Sequence, residues 1–145
     1  QMAGIMTMGA DGVWCASVFL PTTEAETSEN IKEKMIQATS SQTVRSKSRT
    51  GKHSRQLQSA WTDAWESKDA PEPLPMPLQT IVGEPALAIV SKQATLGNEG
   101  AKKLDTYWVG QGIGLVNETI SAGQTVQKFK EEFVGAYERI TNLVD

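Results

Sequence analysis

The chain has 145 residues, a formal net charge of −3 and 39% hydrophobic residues. Its length suits one ordinary globular domain, and its small net charge gives no global reason to expect nucleic acid or an anionic membrane surface as a partner. A single cysteine excludes an internal disulfide, and no apolar stretch approaches the roughly 20 residues that cross a bilayer. We therefore expect a soluble, cytoplasmic protein.

The first residues, QMAGIMTM, carry the apolar face of a helix that is predicted to end at Gly9. No Ser, Thr, Asp or Asn precedes this pattern as an N-cap. Because the helix lacks a start signal, we expect the chain to be a fragment of a longer protein; the alternative is a frayed terminus.

The next stretch, Val13–Phe19, is mostly apolar and predicts a buried strand. A helix, a tight turn and a buried strand in succession are typical of an α/β protein with parallel strands. The strand would end in small residues, Ala16 and Ser17. Such an end leaves room for phosphate oxygens to reach backbone N–H groups, and the Ser17 hydroxyl can add a hydrogen bond. The pattern therefore favours a phosphate-binding strand end.

The central part of the chain alternates between helical and extended patterns. Ser28 is a good N-cap for a helix with an apolar face. Residues 39–50 are polar and β-branched, which predicts an extended segment or a loop. Residues 54–66 place Trp61 and Trp65 on one face of a predicted helix. Four prolines within residues 69–79 predict an extended connector.

The C-terminal part is mostly helical in pattern, with a helix predicted to start at residues 83–85. Glycines recur at 110, 112 and 114, where the spacing departs from the dinucleotide-binding fingerprint. They indicate either a structural turn or a close approach of the backbone to a ligand. The last predicted helix has an apolar stripe that we expect to be buried, formed by Val126, Phe129, Phe133, Ala136, Tyr137 and Ile140.

Other candidate residues have ordinary structural explanations. His53, the only histidine, lies in the basic segment 45–55, and no carboxylate lies near it in sequence. That segment could bind the phosphates of a nucleic acid or an acyl carrier, or it could be a solvated strand. Cys15 lies in an apolar run, and no Cys/His pair has metal-ligand spacing. No metal site is therefore predicted.

Four stretches in series resemble the nitronate monooxygenase family, formerly called the 2-nitropropane dioxygenases. They are GADGVWCASVFLPTTEA, TVRSKSRTGKHSRQLQSAWTDAWE, PLPMPLQ and YWVGQGIGLV, and together they cover most of the chain. The first stretch is similar to the last barrel strand of that family. It departs from the family where Ala16 and Ser17 replace the usual Gly-Thr. Ser17 keeps the hydroxyl and Ala16 keeps the position small, so we expect phosphate binding to survive.

The resemblance implies an α/β fold, namely the C-terminal part of a (β/α)₈ TIM barrel with its last strand and the following helices, plus part of a smaller second domain. It implies a flavoprotein that holds FMN without a covalent bond and, as a monooxygenase, oxidises alkyl nitronates with molecular oxygen. No catalytic residue is expected in this chain, because His53 does not match the family's upstream catalytic histidine. The implied cofactor-binding residues are Trp14, Cys15, Ala16 and Ser17 at the FMN phosphate, and Gln111 and Gly112 beside the flavin ring.

On this basis, residues 1–38 would be the end of the barrel, 39–80 an extended and helical segment with the Pro-rich connector, and 81–145 a helical region packed on the barrel. The expected partners are the N-terminal remainder of the same enzyme and a small-molecule nitronate or acyl-thioester substrate, without nucleic acid or membrane. Two alternatives stay open. One is an FMN-dependent enoyl- or acyl-thioester reductase or dehydrogenase, and the other is a non-enzymatic α/β binding module.

Overall fold

The computed structural model describes residues 1–143. It forms a mixed α/β unit, and the last two residues of the predicted 81–145 region lie outside the described residues. Two short 3-10 helices, Ser17–Phe19 and Gln111–Leu115, flank the central part of the chain. The longer elements are α1 (Met2–Thr7), α2 (Glu29–Gln37), β1 (Thr43–Ser46), β2 (Ser54–Leu57), α3 (Ala60–Trp65), α4 (Leu78–Thr95), α5 (Glu99–Leu104) and α6 (Ala122–Thr141).

An antiparallel hairpin, β1–β2, occupies the middle of the chain, with Thr43 opposite Leu57 at its open end. Gly51 lies in the connecting loop with a φ of +80°, which L side chains rarely adopt. A Cβ at this position would lie 2.2 Å from the backbone oxygen of Leu74. The loop therefore requires glycine both for its turn and for the close approach of the Pro-rich segment.

The hydrophobic core lies between α2, β2 and the second 3-10 helix. Two of its residues, Ile31 and Met35, are four positions apart on α2 and so share one helix face. A Cβ at Gly114 would lie 2.5 Å from the backbone nitrogen of Ser40, so the second 3-10 helix packs directly against backbone. The buried members of the core are Ile31, Met35, Leu57, Val109 and Ile113.

A buried ion pair joins the hairpin loop to α4. The Nε and Nη2 atoms of Arg49 each donate a hydrogen bond of 2.7 Å to the Glu84 carboxylate. The Arg49 guanidinium also lies 3.6 Å from the centre of the Trp108 ring. Because the Arg49 side chain is only 6% exposed, these contacts offset the cost of removing its charge from water.

Residues 13–19 do not form the predicted buried strand. Residues 13–16 have no regular secondary structure, and Ser17–Phe19 is a 3-10 helix. A strand requires a neighbour with which it exchanges backbone hydrogen bonds, and within residues 1–143 the only paired strands are β1 and β2. The segment is not buried either, since Trp14 is 98% exposed.

The helix predicted over residues 54–66 begins later than expected. Its first part is strand β2, and α3 starts only after Ser59, which forms a capping box with Thr62. The Ser59 hydroxyl accepts from the Thr62 N–H, while the Ser59 N–H donates to the Thr62 hydroxyl oxygen. The apolar spacing predicted a helix that includes Leu57. Leu57 is buried, but it belongs to strand β2 and not to a helix.

The helix predicted to start at residues 83–85 begins at Leu78, so Pro85 lies inside α4. Gly83 allows α4 to pack closely against the backbone at Ser48, because a Cβ at Gly83 would lie 3.0 Å from the backbone oxygen of Ser48. Residues 69–77 contain no helix or strand, as predicted for the connector, but the last two residues of the predicted 69–79 segment, Leu78 and Gln79, begin α4.

The last predicted helix is confirmed as α6, but its apolar stripe is not buried. Tyr137 is 65% exposed, and Val126 and Ile140 are also exposed. The buried residue of α6 is Thr125. An amphipathic helix is stabilised when its apolar face packs on another surface, and residues 1–143 leave half of this stripe exposed. No helix in the described part of the chain combines the length and the apolar character needed to cross a membrane.

Candidate functional site

A cavity of about 740 Å³ lies between the N-terminal segment, the second 3-10 helix and α6. Five of the six predicted cofactor-binding residues line it. These are Trp14, Cys15, Ala16, Ser17 and Gly112. Gln111 is exposed and is not among the lining residues. The fold therefore brings together two stretches that lie about ninety residues apart in sequence.

A direct hydrogen bond connects the two stretches. The Gly110 N–H donates to the Ser17 hydroxyl oxygen at 2.6 Å. A Cβ at Gly110 would lie 3.3 Å from the same oxygen, so this close approach favours glycine. The bond holds the first 3-10 helix against the second, and it fixes the Ser17 hydroxyl at the cavity wall.

The same segment carries hydrogen-bond donors that have no acceptor among the described residues. Within residues 1–143, the Ser17 hydroxyl accepts a hydrogen bond but donates none, and the backbone N–H groups of Ala16, Ser17 and Val18 have no backbone acceptor. Ala16 has a φ of −120°, which alanine adopts without strain. The replacement of the family's usual glycine at this position is thus compatible with the observed backbone.

Two further contacts attach α6 to this side of the molecule. The Ala122 N–H, at the first turn of α6, donates to the Glu24 carboxylate at 2.9 Å. This bond, together with a smaller contribution from the Thr23 hydroxyl, lowers the pKa of Glu24. One turn before the middle of α6, Phe129 meets Phe19 edge to face with ring centres 6.4 Å apart. The α6 wall is therefore anchored directly to the segment that carries Ser17.

The α6 wall contributes charge that the sequence patterns did not reveal. Lys128 forms an ion pair with Glu118, and both residues line the cavity together with Glu132. Periodicity identified the apolar stripe of this helix but not its charged edge. Lys128 directly precedes the stripe residue Phe129, but this position alone does not indicate that Lys128 lines a cavity.

The basic segment 45–55 lies outside the cavity, and several of its cations have structural partners. Arg49 is held by Glu84 and Trp108, Lys47 lies 3.5 Å from the Glu72 carboxylate, and Arg55 donates to the Thr43 hydroxyl. His53 is exposed. These contacts favour a structural role for most of the segment over a phosphate-binding one.

A second polar cluster also lies away from the cavity. Asn30 donates to the Asp105 carboxylate at 2.9 Å, and Lys34 donates to the Asp105 backbone oxygen at 2.6 Å. Burial raises the pKa of Asp105 and lowers the pKa of Lys34. Perturbed groups often mark functional sites, but these groups join α2 to the end of α5 and do not line the cavity. Across residues 1–143, no three His, Cys, Asp or Glu side chains cluster to hold a metal ion.

Comparison with known proteins decides the family. The family model described as nitronate monooxygenase matches residues 1–132. The chain belongs to the nitronate monooxygenase family. This family match covers both walls of the cavity, including most of α6.

Two curated relatives are similar to the chain over most of its length. A protein of Mycobacterium tuberculosis provisionally named monooxygenase Rv1533 is 48% identical over 99% of the chain, and the match covers 38% of that relative. A probable nitronate monooxygenase of Bacillus subtilis is 28% identical over 88% of the chain, and the match covers 35% of it. The chain thus spans little more than a third of the length of these relatives.

Solved structures support the fold. FabK from Thermotoga maritima matches 97% of the chain with a TM-score of 0.69 at 22% identity, and the match covers 42% of FabK. A mutant of the same protein matches with a TM-score of 0.65. The described elements therefore have the arrangement found in one part of FabK.

Proposed function

We propose that the chain is part of an FMN-dependent oxidoreductase and that the cavity wall around Ser17 binds the FMN phosphate. The observation that carries the proposal is the hydrogen bond between Ser17 and Gly110, which joins the two stretches with predicted cofactor residues across one cavity. Membership of the nitronate monooxygenase family supports the choice of cofactor.

The residues present fit the proposed group. Ligand cavities for small molecules and cofactors enclose about 300–1,000 Å³, and this cavity encloses about 740 Å³. A phosphate accepts hydrogen bonds from backbone N–H groups and from hydroxyls. Ala16, Ser17 and Val18 offer such donors, and the small side chain of Ala16 leaves the backbone accessible. The exposed apolar ring of Trp14 would lie beside the bound cofactor.

The proposed reaction is the oxidation of an alkyl nitronate with molecular oxygen. When bound, the flavin would supply the electron transfer between the substrate and oxygen. This chain's residues would position the cofactor by its phosphate end. A proton-transferring base would come from the preceding part of the enzyme, since His53, the only histidine here, is exposed and lies outside the cavity.

We further propose that the preceding part of the same enzyme completes a (β/α)₈ barrel around this cavity and covers the exposed stripe of α6. Residues 13–16, which have no strand partner within residues 1–143, would then pair as the last barrel strand. The small-molecule substrate would bind within that barrel, and no nucleic acid or membrane would be required.

The acyl-thioester reductase alternative is less well supported. It assigned the basic segment 45–55 to the phosphates of coenzyme A, but Arg49 is buried against Glu84 and Trp108. The binding-module alternative used the same basic residues, and family membership favours an enzyme over it. Nitronate turnover is therefore the activity to test first.

The test measures FMN affinity of the full-length protein by quenching of flavin fluorescence. Ala16→Glu would place a carboxylate against the phosphate and should weaken FMN binding at least about 100-fold, because like charges in contact cost several kcal/mol. Ser17→Ala removes one hydroxyl donor and should weaken binding about five- to tenfold. Ala60→Glu, at an exposed position of α3 outside the cavity, is the matched control and should bind FMN normally.

An Ala16→Glu variant that folds and binds FMN as tightly as the wild type would exclude the phosphate assignment. Substrate class is tested separately on the flavin-loaded protein. Oxygen consumption with an alkyl nitronate is the expected result, whereas turnover of an enoyl thioester with a nicotinamide donor would favour the alternative reductase.

A further inference from the structure

We propose that Lys128 on α6 pairs with the phosphate of the bound cofactor and makes the site select FMN over riboflavin, with Glu118 as its partner when no anion is bound. This inference rests on the proposed function and adds a residue from the opposite wall of the cavity. It makes α6 part of the binding site and not only a packing element.

The geometry brings Lys128 near the segment that carries Ser17. Phe129, the next residue, meets Phe19 edge to face at 6.4 Å, and Phe19 lies in the same 3-10 helix as Ser17. Lys128 and Ser17 both line the cavity. Thr125, one helical turn before Lys128, also lines it and is buried. This edge of α6 therefore faces the cavity.

The charges make Lys128 the candidate for an anion. Among the described residues that line the cavity, it is the only one with a basic side chain, and the acidic side chains are Glu118 and Glu132. Without Lys128 the wall would present only negative charge to a phosphate. With Lys128, one ammonium group is available for a charge-assisted hydrogen bond, which is stronger than a neutral one.

The ion pair with Glu118 can be exchanged at small cost. The Lys128 and Glu118 side chains are 48% and 57% exposed, and exposed ion pairs contribute little to stability. A phosphate carries nearly two negative charges, so it competes effectively with a single carboxylate for the same ammonium group. Glu118 therefore holds Lys128 at the cavity and opposes anion binding at the same time.

The experiment compares the dissociation constants of FMN and riboflavin for the full-length apoprotein. Riboflavin lacks the phosphate, so the ratio of the two constants isolates the contribution of that group. Lys128→Gln should weaken FMN binding about tenfold and leave riboflavin binding within about twofold. Glu118→Gln should tighten FMN binding severalfold, because it removes the competing carboxylate. Lys130→Gln, an exposed lysine of α6 that does not line the cavity, is the matched control and should keep the wild-type ratio.

The outcomes separate this inference from the proposed function. A wild-type protein that binds neither flavin would overturn both. A wild-type protein that prefers FMN, combined with an unchanged ratio in Lys128→Gln and Glu118→Gln, would overturn the role of Lys128 alone. An equal loss of preference in Lys130→Gln would reduce the effect to the overall charge of α6 and would also overturn the assignment.

Discussion

The hairpin β1–β2 and the cavity differ in how far the described residues cover their surfaces. Around the hairpin, several polar side chains are buried and hydrogen-bonded: Gln56 is fully buried and contacts Ser48 and Ser54 through hydrogen bonds. Around the cavity, large apolar side chains such as Trp14 and Leu115 are exposed. The hairpin is thus held by contacts within this chain, whereas the cavity presents surfaces suited to a cofactor and to further protein.

The same difference distinguishes the buried Arg49 from the half-exposed Lys128. Arg49 donates two hydrogen bonds to Glu84 and stacks on the Trp108 ring. Its Nη1 has no hydrogen-bond partner among the described residues, but the side chain is only 6% exposed and so is poorly accessible to a ligand. Lys128 is half-exposed and has a single carboxylate partner that can be displaced. The proposed anion site therefore rests on the exposure and pairing of Lys128, and not on the number of basic residues in a segment.

The largest effect should come from breaking the buried pair of the hairpin region. Glu84→Gln would leave the buried Arg49 charge without a counter-charge and should lower the free energy of unfolding by about 3 kcal/mol. Glu72→Gln removes the partner of Lys47 at a site where the glutamate side chain is 85% exposed. This control should cost less than about 1 kcal/mol. Urea unfolding of both variants checks the difference, and equal costs would contradict the contrast drawn between the two kinds of pair.

A smaller effect is expected from adding a single methyl group to a glycine. Gly114→Ala would bring a Cβ within 2.5 Å of the Ser40 backbone nitrogen, and we expect a loss of about 2 kcal/mol from the resulting shift. Gly123→Ala adds the same group to the first turn of α6, where the nearest atom lies 3.8 Å away. It should be neutral or slightly stabilising, because alanine favours helix.

Thermal unfolding of these two glycine variants tests whether the core side is packed more tightly than the α6 side. A Gly114→Ala protein as stable as Gly123→Ala would show that the segment at Ser40 can move aside without loss.

The smallest effect concerns the attachment of α6 at acidic pH. The lowered pKa of Glu24 means that its carboxylate stabilises the fold fully at pH values above its ordinary pKa. That contribution is lost as the pH falls through the lower pKa of the folded state. Glu24→Gln should therefore remove part of the acid sensitivity of α6. Hydrogen exchange of the Ala122 amide at neutral and acidic pH checks this, and the same pH dependence in wild type and variant would exclude the Glu24 contact as its cause.

Local patterns in the sequence predicted several elements of the fold. Gly9 ends the first helix and has a positive φ. Ser28 occupies the predicted N-cap position of α2, but its hydroxyl makes no capping hydrogen bond. The prediction failed where a pairing partner decides the structure. Residues 54–57 have helical periodicity but form a strand, because β1 lies beside them. Residues 13–19 have the composition of a strand but lack a neighbour among residues 1–143.

Only part of the candidate site was predicted, because the rest depends on contacts between residues that are distant in sequence. The resemblance to the family placed Ser17 and Gly112 in it, and both line the cavity. Lys128 could not be identified from its own surroundings in sequence, because its relevance depends on the contact between Phe129 and Phe19 across more than a hundred residues. Periodicity indicates which residues share a helix face, but it does not indicate what that face meets.

The hydrogen bond from Gly110 to Ser17 has a consequence for how this sequence can change over time. A larger residue at position 110 would crowd the Ser17 oxygen, and a residue without a hydroxyl at position 17 would leave the Gly110 N–H without its acceptor. A substitution at position 17 or at position 110 therefore affects the other residue, although the two are 93 positions apart in sequence. In homologues that keep the cavity, these two positions should vary together, as a linked pair under one constraint.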